Sequence, residues 1–234
     1  MRRLISQDGP REPWVVFADI VLAALFLFVL FIFAQYVRYE KLAQQEELER
    51  RRREIAALVR DSLPLEFQGD VAVGSGEAFA QRITFSSDLL FDVCRETLTD
   101  RGRNLVAAVG ELLGRRLTYF EAIEIEGHTD QRLPTGDGVC PFVDNWDLSS
   151  RRAATVVRIL TTDATLDPRR LSAVGKAQFH GTSDGCAGLS GSQLNECTSE
   201  DRRIEILLQY SESDIDDALE DGGDRTDVRQ ATSS

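Results

Sequence analysis

Histidine is almost absent from the 234 residues: His128 and His180 are the only two, and with the four cysteines they form no zinc-ligand spacing. Ser149 and Ser150 lack the strand-to-helix setting of a nucleophile elbow, so a hydrolase triad finds no support. The loop from Gly185 to Gly191 lacks the lysine and hydroxyl of a phosphate cradle. No metal, cofactor or enzyme is read from these residues. Positive charge is also in deficit, with 27 Lys and Arg against 39 Asp and Glu for a net charge of −12, which argues against nucleic acid as a partner. Half of that excess lies in residues 211–234, where eight acids face two arginines, and this acidic stretch with few large apolar residues reads as a disordered, solvated tail.

Charge is scarcest between Trp14 and Tyr36, where a single acid, Asp19, interrupts an otherwise apolar run. At about 1.5 Å per residue this run spans a bilayer as a helix. It is too long for a signal peptide and no small-residue cleavage site follows Tyr36. An ionisable group inside a span costs several kcal/mol unless protonated, paired or facing a polar cavity, so Asp19 is a functional candidate, an acid near the membrane surface being the plain alternative. Ala18, Ala23 and Ala24 give its neighbourhood a small-residue surface where another helix can approach.

All four cysteines, Cys94, Cys140, Cys186 and Cys197, follow the span, an even number suited to an oxidising compartment. Arginines flank both ends of the span, so charge alone leaves its orientation open, and the cysteines favour a cytoplasmic N-terminus (1–13) with an exported C-terminal domain. Residues 37–78 read as a helical spacer and linker. Val37 to Leu63 carries strong helix formers with Glu46/Arg50, Glu47/Arg51 and Glu49/Arg53 at i,i+4, and a thin seam of Leu48, Ile55 and Leu58. Pro64 stops this helix, and Gly69, Gly74 and Gly76 mark a turn-rich approach.

Residues 79–210 alternate strand and helix patterns: strands at Arg82–Phe85, Ala122–Glu126, Leu171–Val174 and Ile204–Tyr210, and helices at Asp100–Leu117 and Leu148–Leu160. The order βαβαβ with a final strand predicts an α/β (α+β) sandwich with helices packed on one sheet.

The segments FSSDLLFDVCRETLTDRG (85–102), IEGHTD (125–130), NWDLSSRRAATVV (145–157) and DRRIEI (201–206) together resemble the OmpA C-terminal domain family. The resemblance implies a periplasmic domain that grips the diaminopimelate residue of peptidoglycan without cutting it. It implies that Asp130 accepts the ligand's ammonium group, that Arg152 holds its carboxylate, and that Asn145 and Leu148 shape the pocket. Of Arg202 and Arg203, one braces Asp130 or the pocket wall, and Arg203 is assigned to the site. An acid and a planar cation suit such a ligand, since arginine grips a carboxylate with two parallel bonds. The connection from Asp130 to Asn145 is longer than in simple family members. The same resemblance implies a Cys186–Cys197 disulfide and leaves Cys94 and Cys140 to pair, although four cysteines allow other connectivities.

One span with FADIVLAALFLF, a short spacer and an OmpA-like domain together resemble the MotB family of ion-driven stators, and within it the compact linker, loop cysteines and NWDLSSRRA are similar to the ZorB proteins of Zorya anti-phage systems. This implies a single-pass protein of the bacterial inner membrane, a homodimer that assembles with about five ZorA/MotA-like channel subunits. Asp19 is then the acid that binds the translocated ion, a proton. A flagellar MotB-type stator and a passive envelope tether are the alternatives.

Overall fold

A computed structural model describes residues 13–76, 79–134, 140–182, 186, 189–211, 213 and 215. The chain divides into two compact units, Met1–Glu46 and Glu47–Ser234. Helix α1 (Pro13–Ser62) runs from the first into the second. In the first unit its apolar side chains point outward, with Ile20 63%, Phe26 63% and Phe31 57% exposed. Its most apolar 18-residue window has a mean hydropathy of 2.8, enough by length and composition to cross a membrane. Residues 1–12, read as the greater part of the N-terminal segment, lie outside the described residues, as does the acidic tail apart from Ser211, Ser213 and Ile215. Ile215 is fully buried in the core.

The second unit begins earlier than residue 79. Leu48, Ile55, Val59, Leu63 and Phe67 join the same apolar cluster as Ile83, Phe85, Leu105 and Ile206. The thin seam of Leu48, Ile55 and Leu58 has its partner in the domain, so the last turns of α1 belong to the core and not to a spacer. Polar contacts reinforce this. Glu54 accepts from Arg116 at 2.5 Å and from the Tyr119 hydroxyl at 3.1 Å, and the Arg51 guanidinium lies 4.7 Å from the centre of the Tyr119 ring.

After Pro64 a 3₁₀ turn (Leu65–Phe67) leads to β1 (Val71–Ser75), a strand inside the stretch read as turn-rich. Then follow β2 (Ala80–Ser86), the single turn α2 (Ser87–Leu90), α3 (Asp100–Gly114), β3 (Phe120–His128), α4 (Asn145–Thr162), β4 (Leu171–Ala177), α5 (Gly191–Cys197) and β5 (Arg203–Tyr210). The Thr99 hydroxyl caps α3 by accepting from the Gly102 amide at 2.9 Å, and Leu105, Val106, Val109, Leu112 and Leu113 form its buried stripe. The Asp144 carboxylate caps α4 by accepting from the Asp147 amide at 2.8 Å.

The sheet order is β1-β2-β5-β3-β4, with β3 and β4 parallel and every other pair antiparallel. The final strand inserts between β2 and β3, pairing Ile204 with Gly127 and Arg203 with Ser86. The ends of β2 and β3 and the start of β5 therefore meet at one edge. Helix α4 comes very close to this edge: a Cβ on Gly127 would collide with the Ser149 carbonyl and one on Gly175 with the Ser150 hydroxyl. The fold is thus a mixed α/β sheet domain, as the strand and helix pattern predicts.

Candidate functional site: a charged cavity at the sheet edge

Where β3 ends, the Thr129 amide donates to the Ala177 carbonyl at 2.9 Å and the chain turns through Asp130. The Asn145 side-chain amide fixes that turn, donating to the carbonyls of Asp130 at 3.1 Å and Arg132 at 3.0 Å. On α4 the buried stripe reads Asn145, Leu148, Ser149, Arg152, Ala153, Val156 and Leu160, polar near its N-terminus and apolar beyond. One helix face thus serves two purposes: its far end fills the core, and its near end presents Asn145, Leu148 and Arg152 to a cavity. That cavity measures about 450 Å³ and brings together Asp130, Asn145, Leu148 and Arg152 with Arg132 and Arg202.

Arg152 is only 6% exposed. Its guanidinium donates to the Arg95 carbonyl at 2.9 Å, the Ser87 hydroxyl at 2.8 Å and the Asp92 carbonyl at 3.2 Å, and lies 4.9 Å from the centre of the Phe91 ring. Three of five donors are used, none on a carboxylate among the described residues. Burial pulls its pKa down to about 10, against a smaller opposing pull from Asp88. A buried cation held by neutral groups is an anion receptor with charge to spare.

Asp130 is 5% exposed. Burial pushes its carboxyl up, but hydrogen bonds from Arg132 and Arg202 outweigh that and hold it below the ordinary carboxylate range. Arg202 donates to Asp130 at 2.9 Å and forks onto Asp88 at 3.1 and 2.7 Å. Arg132 donates from its amide at 3.0 Å, from Nε at 2.8 Å and from Nη2 at a still shorter separation.

The cavity wall is cross-linked. Cys94 and Cys140, which both line it, are bonded to each other, and Cys140 packs with Phe142 and Leu148 in a small apolar cluster. This ties one described end of the long connection between Asp130 and Asn145, at Cys140, to the segment between α2 and α3; residues 135–139 of that connection lie outside the described residues. A second bond, Cys186–Cys197, closes onto α5, whose Asn195 accepts from Arg132 at 3.0 Å.

Arg203 is not part of this cavity, which corrects its assignment. Arg202 lies in the bend just before β5 and reaches Asp130, whereas Arg203, the first residue of the strand, faces away and donates to Glu205 at 2.6 Å and to the His180 carbonyl at 3.1 Å. There Glu126, His128 and Glu205 bring ligand-type atoms within 4.8 Å of one another. Lys176 holds Glu126 at 2.8 Å, and Arg82 and Arg203 hold Glu205 at 2.8 and 2.6 Å, so the acids are already neutralised and the group is an internal ion network. The His128 contact, followed by Lys176 against the opposing push of burial, holds the Glu126 carboxyl well below its ordinary value.

Asp19 lies within the apolar stretch of α1 with its side chain exposed. The sequence reading did not single out Arg132, Asp88 or the carbonyls that hold Arg152. The pair Asp130/Arg132 has a local signal, an acid and an arginine two apart in a turn; the carbonyls that accept from Arg152 have none.

A model of the OmpA family matches residues 90–186, a span that holds Asp130, Asn145, Leu148 and Arg152 but not Arg202. The uncharacterized protein YtxE of Bacillus subtilis (strain 168) is 30% identical over 125 residues, 53% of this chain and 46% of the relative, so the chain spans less than half of that protein's length. Among solved structures, a MotB-like protein from Desulfovibrio vulgaris superposes with a TM-score of 0.59 at 24% identity, covering 72% of this chain and 99% of that one. The cell wall anchor of the T6SS from Pseudomonas aeruginosa superposes at 0.53 with 22% identity, covering 67% and 97%. At these identities the superpositions speak to fold alone: the domain is structurally similar to MotB-type domains, and residues 90–186 within it match the OmpA family model.

Proposed function

We propose that this chain is the peptidoglycan-anchored subunit of an ion-driven inner-membrane motor, ZorB-like, acting in anti-phage defence with a ZorA/MotA-like channel partner. The observation that carries the anchoring half is one cavity holding a buried, carboxylate-free Arg152 and a buried, ionised Asp130. The free end of diaminopimelate bears an ammonium and a carboxylate on one carbon, and these two residues are their counterparts. The match to the OmpA family and the likeness to a MotB-like protein and a cell wall anchor support the same reading. The motor half rests on Asp19 within the only stretch, among the described residues, that is long and apolar enough to span a membrane. The disulfides Cys94–Cys140 and Cys186–Cys197 support a periplasmic C-terminal domain with a cytoplasmic N-terminus. The likeness to a wall anchor also favours a second reading, a passive tether in which Asp19 carries no ion.

The test of anchoring is sedimentation of the detergent-solubilised full chain with purified peptidoglycan. Asp130→Ala and Arg152→Ala should each weaken binding about ten-fold or more, the loss of one charge-assisted contact being worth roughly 1.5–3 kcal/mol. Undiminished sedimentation of both variants, with folding intact, removes the cavity from the reading.

A further inference from the structure

We infer that Arg132 is a built-in competitor for the seat at Asp130 and so decides which charge the cavity accepts. The inference rests on the ligand reading proposed above. Asp130 is occupied twice, and the two guanidiniums differ in how firmly they are placed. Arg202 is 13% exposed in its side chain and shared with Asp88 at 2.7 Å, so its charge is balanced whether or not a ligand arrives. Arg132 is 53% exposed in its side chain, with Asn195 as its other partner. Its backbone stays in place independently: the amide donates to Asp130 at 3.0 Å and the carbonyl accepts from Asn145 at 3.0 Å. The side chain can therefore swing out while the turn that shapes the seat remains.

The charges say what this motion changes. With Arg132 in place, Asp88, Asp92 and Asp130 face Arg132, Arg152 and Arg202, so the charges of the lining balance. In that state two guanidiniums cover the Asp130 carboxylate and leave an ammonium no open seat, while Arg152 stays available to an anion. With Arg132 swung out, the lining carries one negative charge in excess, and Asp130 recovers free lone pairs for an ammonium beside the carboxylate receptor Arg152. A zwitterion must thus displace Arg132, whereas a plain carboxylate need not. The ammonium competes with an internal guanidinium, and affinity for the zwitterion is held below what the seat can give.

Calorimetric titration of the full chain in detergent with meso-diaminopimelate and with pimelate, which keeps both carboxylates and lacks both ammoniums, separates the alternatives. Arg132→Ala should bind diaminopimelate about ten-fold more tightly and pimelate more weakly. Arg132→Gln, which keeps a hydrogen-bonding side chain without the charge, should shift both ligands in the same directions and guards against a packing effect at position 132. Weaker binding of both ligands to both variants would make Arg132 a structural or contact residue and overturn the inference while leaving the ligand reading intact. If neither wild type nor variants bind either ligand, the ligand reading falls and takes the inference with it.

Discussion

Arg152 concentrates the energetics of the cavity in one side chain. Its pKa is drawn down to about 10 by burial, so its charged form is the one the fold penalises. The sign follows directly: for a base whose folded pKa lies below its unfolded value, the cost is fully present at neutral pH and is relieved only as pH rises through about 10. That cost is on the order of 3 kcal/mol. The three hydrogen bonds to Arg95, Ser87 and Asp92 return about 1 kcal/mol each. Arg152→Met should therefore unfold thermally within a few degrees of wild type while losing peptidoglycan binding; a collapse of the midpoint would mean that the residue is structural. Asp130 has the opposite sign. Its folded pKa is held below the unfolded one, so its contribution is present above about pH 4 and is lost as pH falls through the folded value. Urea titrations from pH 7 to pH 3 should show Asp130→Asn and wild type converging only at the acid end.

Among the elements, the docked end of α1 departs most from what the sequence suggests. Leu48, Ile55 and Val59 are spaced too widely to announce a helix pair, and the sheet domain that completes their packing is built by residues far along the chain. Ile55 is fully buried, so Ile55→Ala should cost about 2–5 kcal/mol in chemical unfolding. A change within ~0.5 kcal/mol, as expected for an exposed spacer position, would mean that the helix is undocked in solution. Strand β1 hides for a related reason: Gly74 breaks its pattern, and pairing with β2 defines it. Helices α3 and α4 are legible because their stripes recur at helical spacing, whereas Asn145, Leu148 and Arg152 enter only through the resemblance to the OmpA family, and the structure places them on one buried stripe. The choice between Arg202 and Arg203 was not legible. It depends on which side of β5 faces the end of β3, and that register is set by pairing across the sheet. Arg132 escaped notice because its importance comes from the turn that folds it back onto Asp130.

For the whole molecule, the proposed motor needs two capacities that different residues supply: an ion carrier in the membrane and a grip on the wall. They should fail separately. Asp19→Asn keeps the size of the side chain and removes its ionisation, so it also lowers the cost of placing that residue in hydrocarbon. The variant chain should insert and co-purify with a MotA-like channel partner, and its domain should sediment with peptidoglycan as wild type does. If the proposed motor works by protonation of this carboxylate biasing one helix packing over another, proton flux through vesicles containing that complex should fall to background. Arg152→Ala should give the reverse pattern, with partner binding retained and wall binding lost. Unchanged flux with Asp19→Asn would remove the carboxylate from ion transfer. The chain would then be a tether, holding the wall through Asp130 and Arg152 and carrying Asp19 only as an acid placed near the membrane surface.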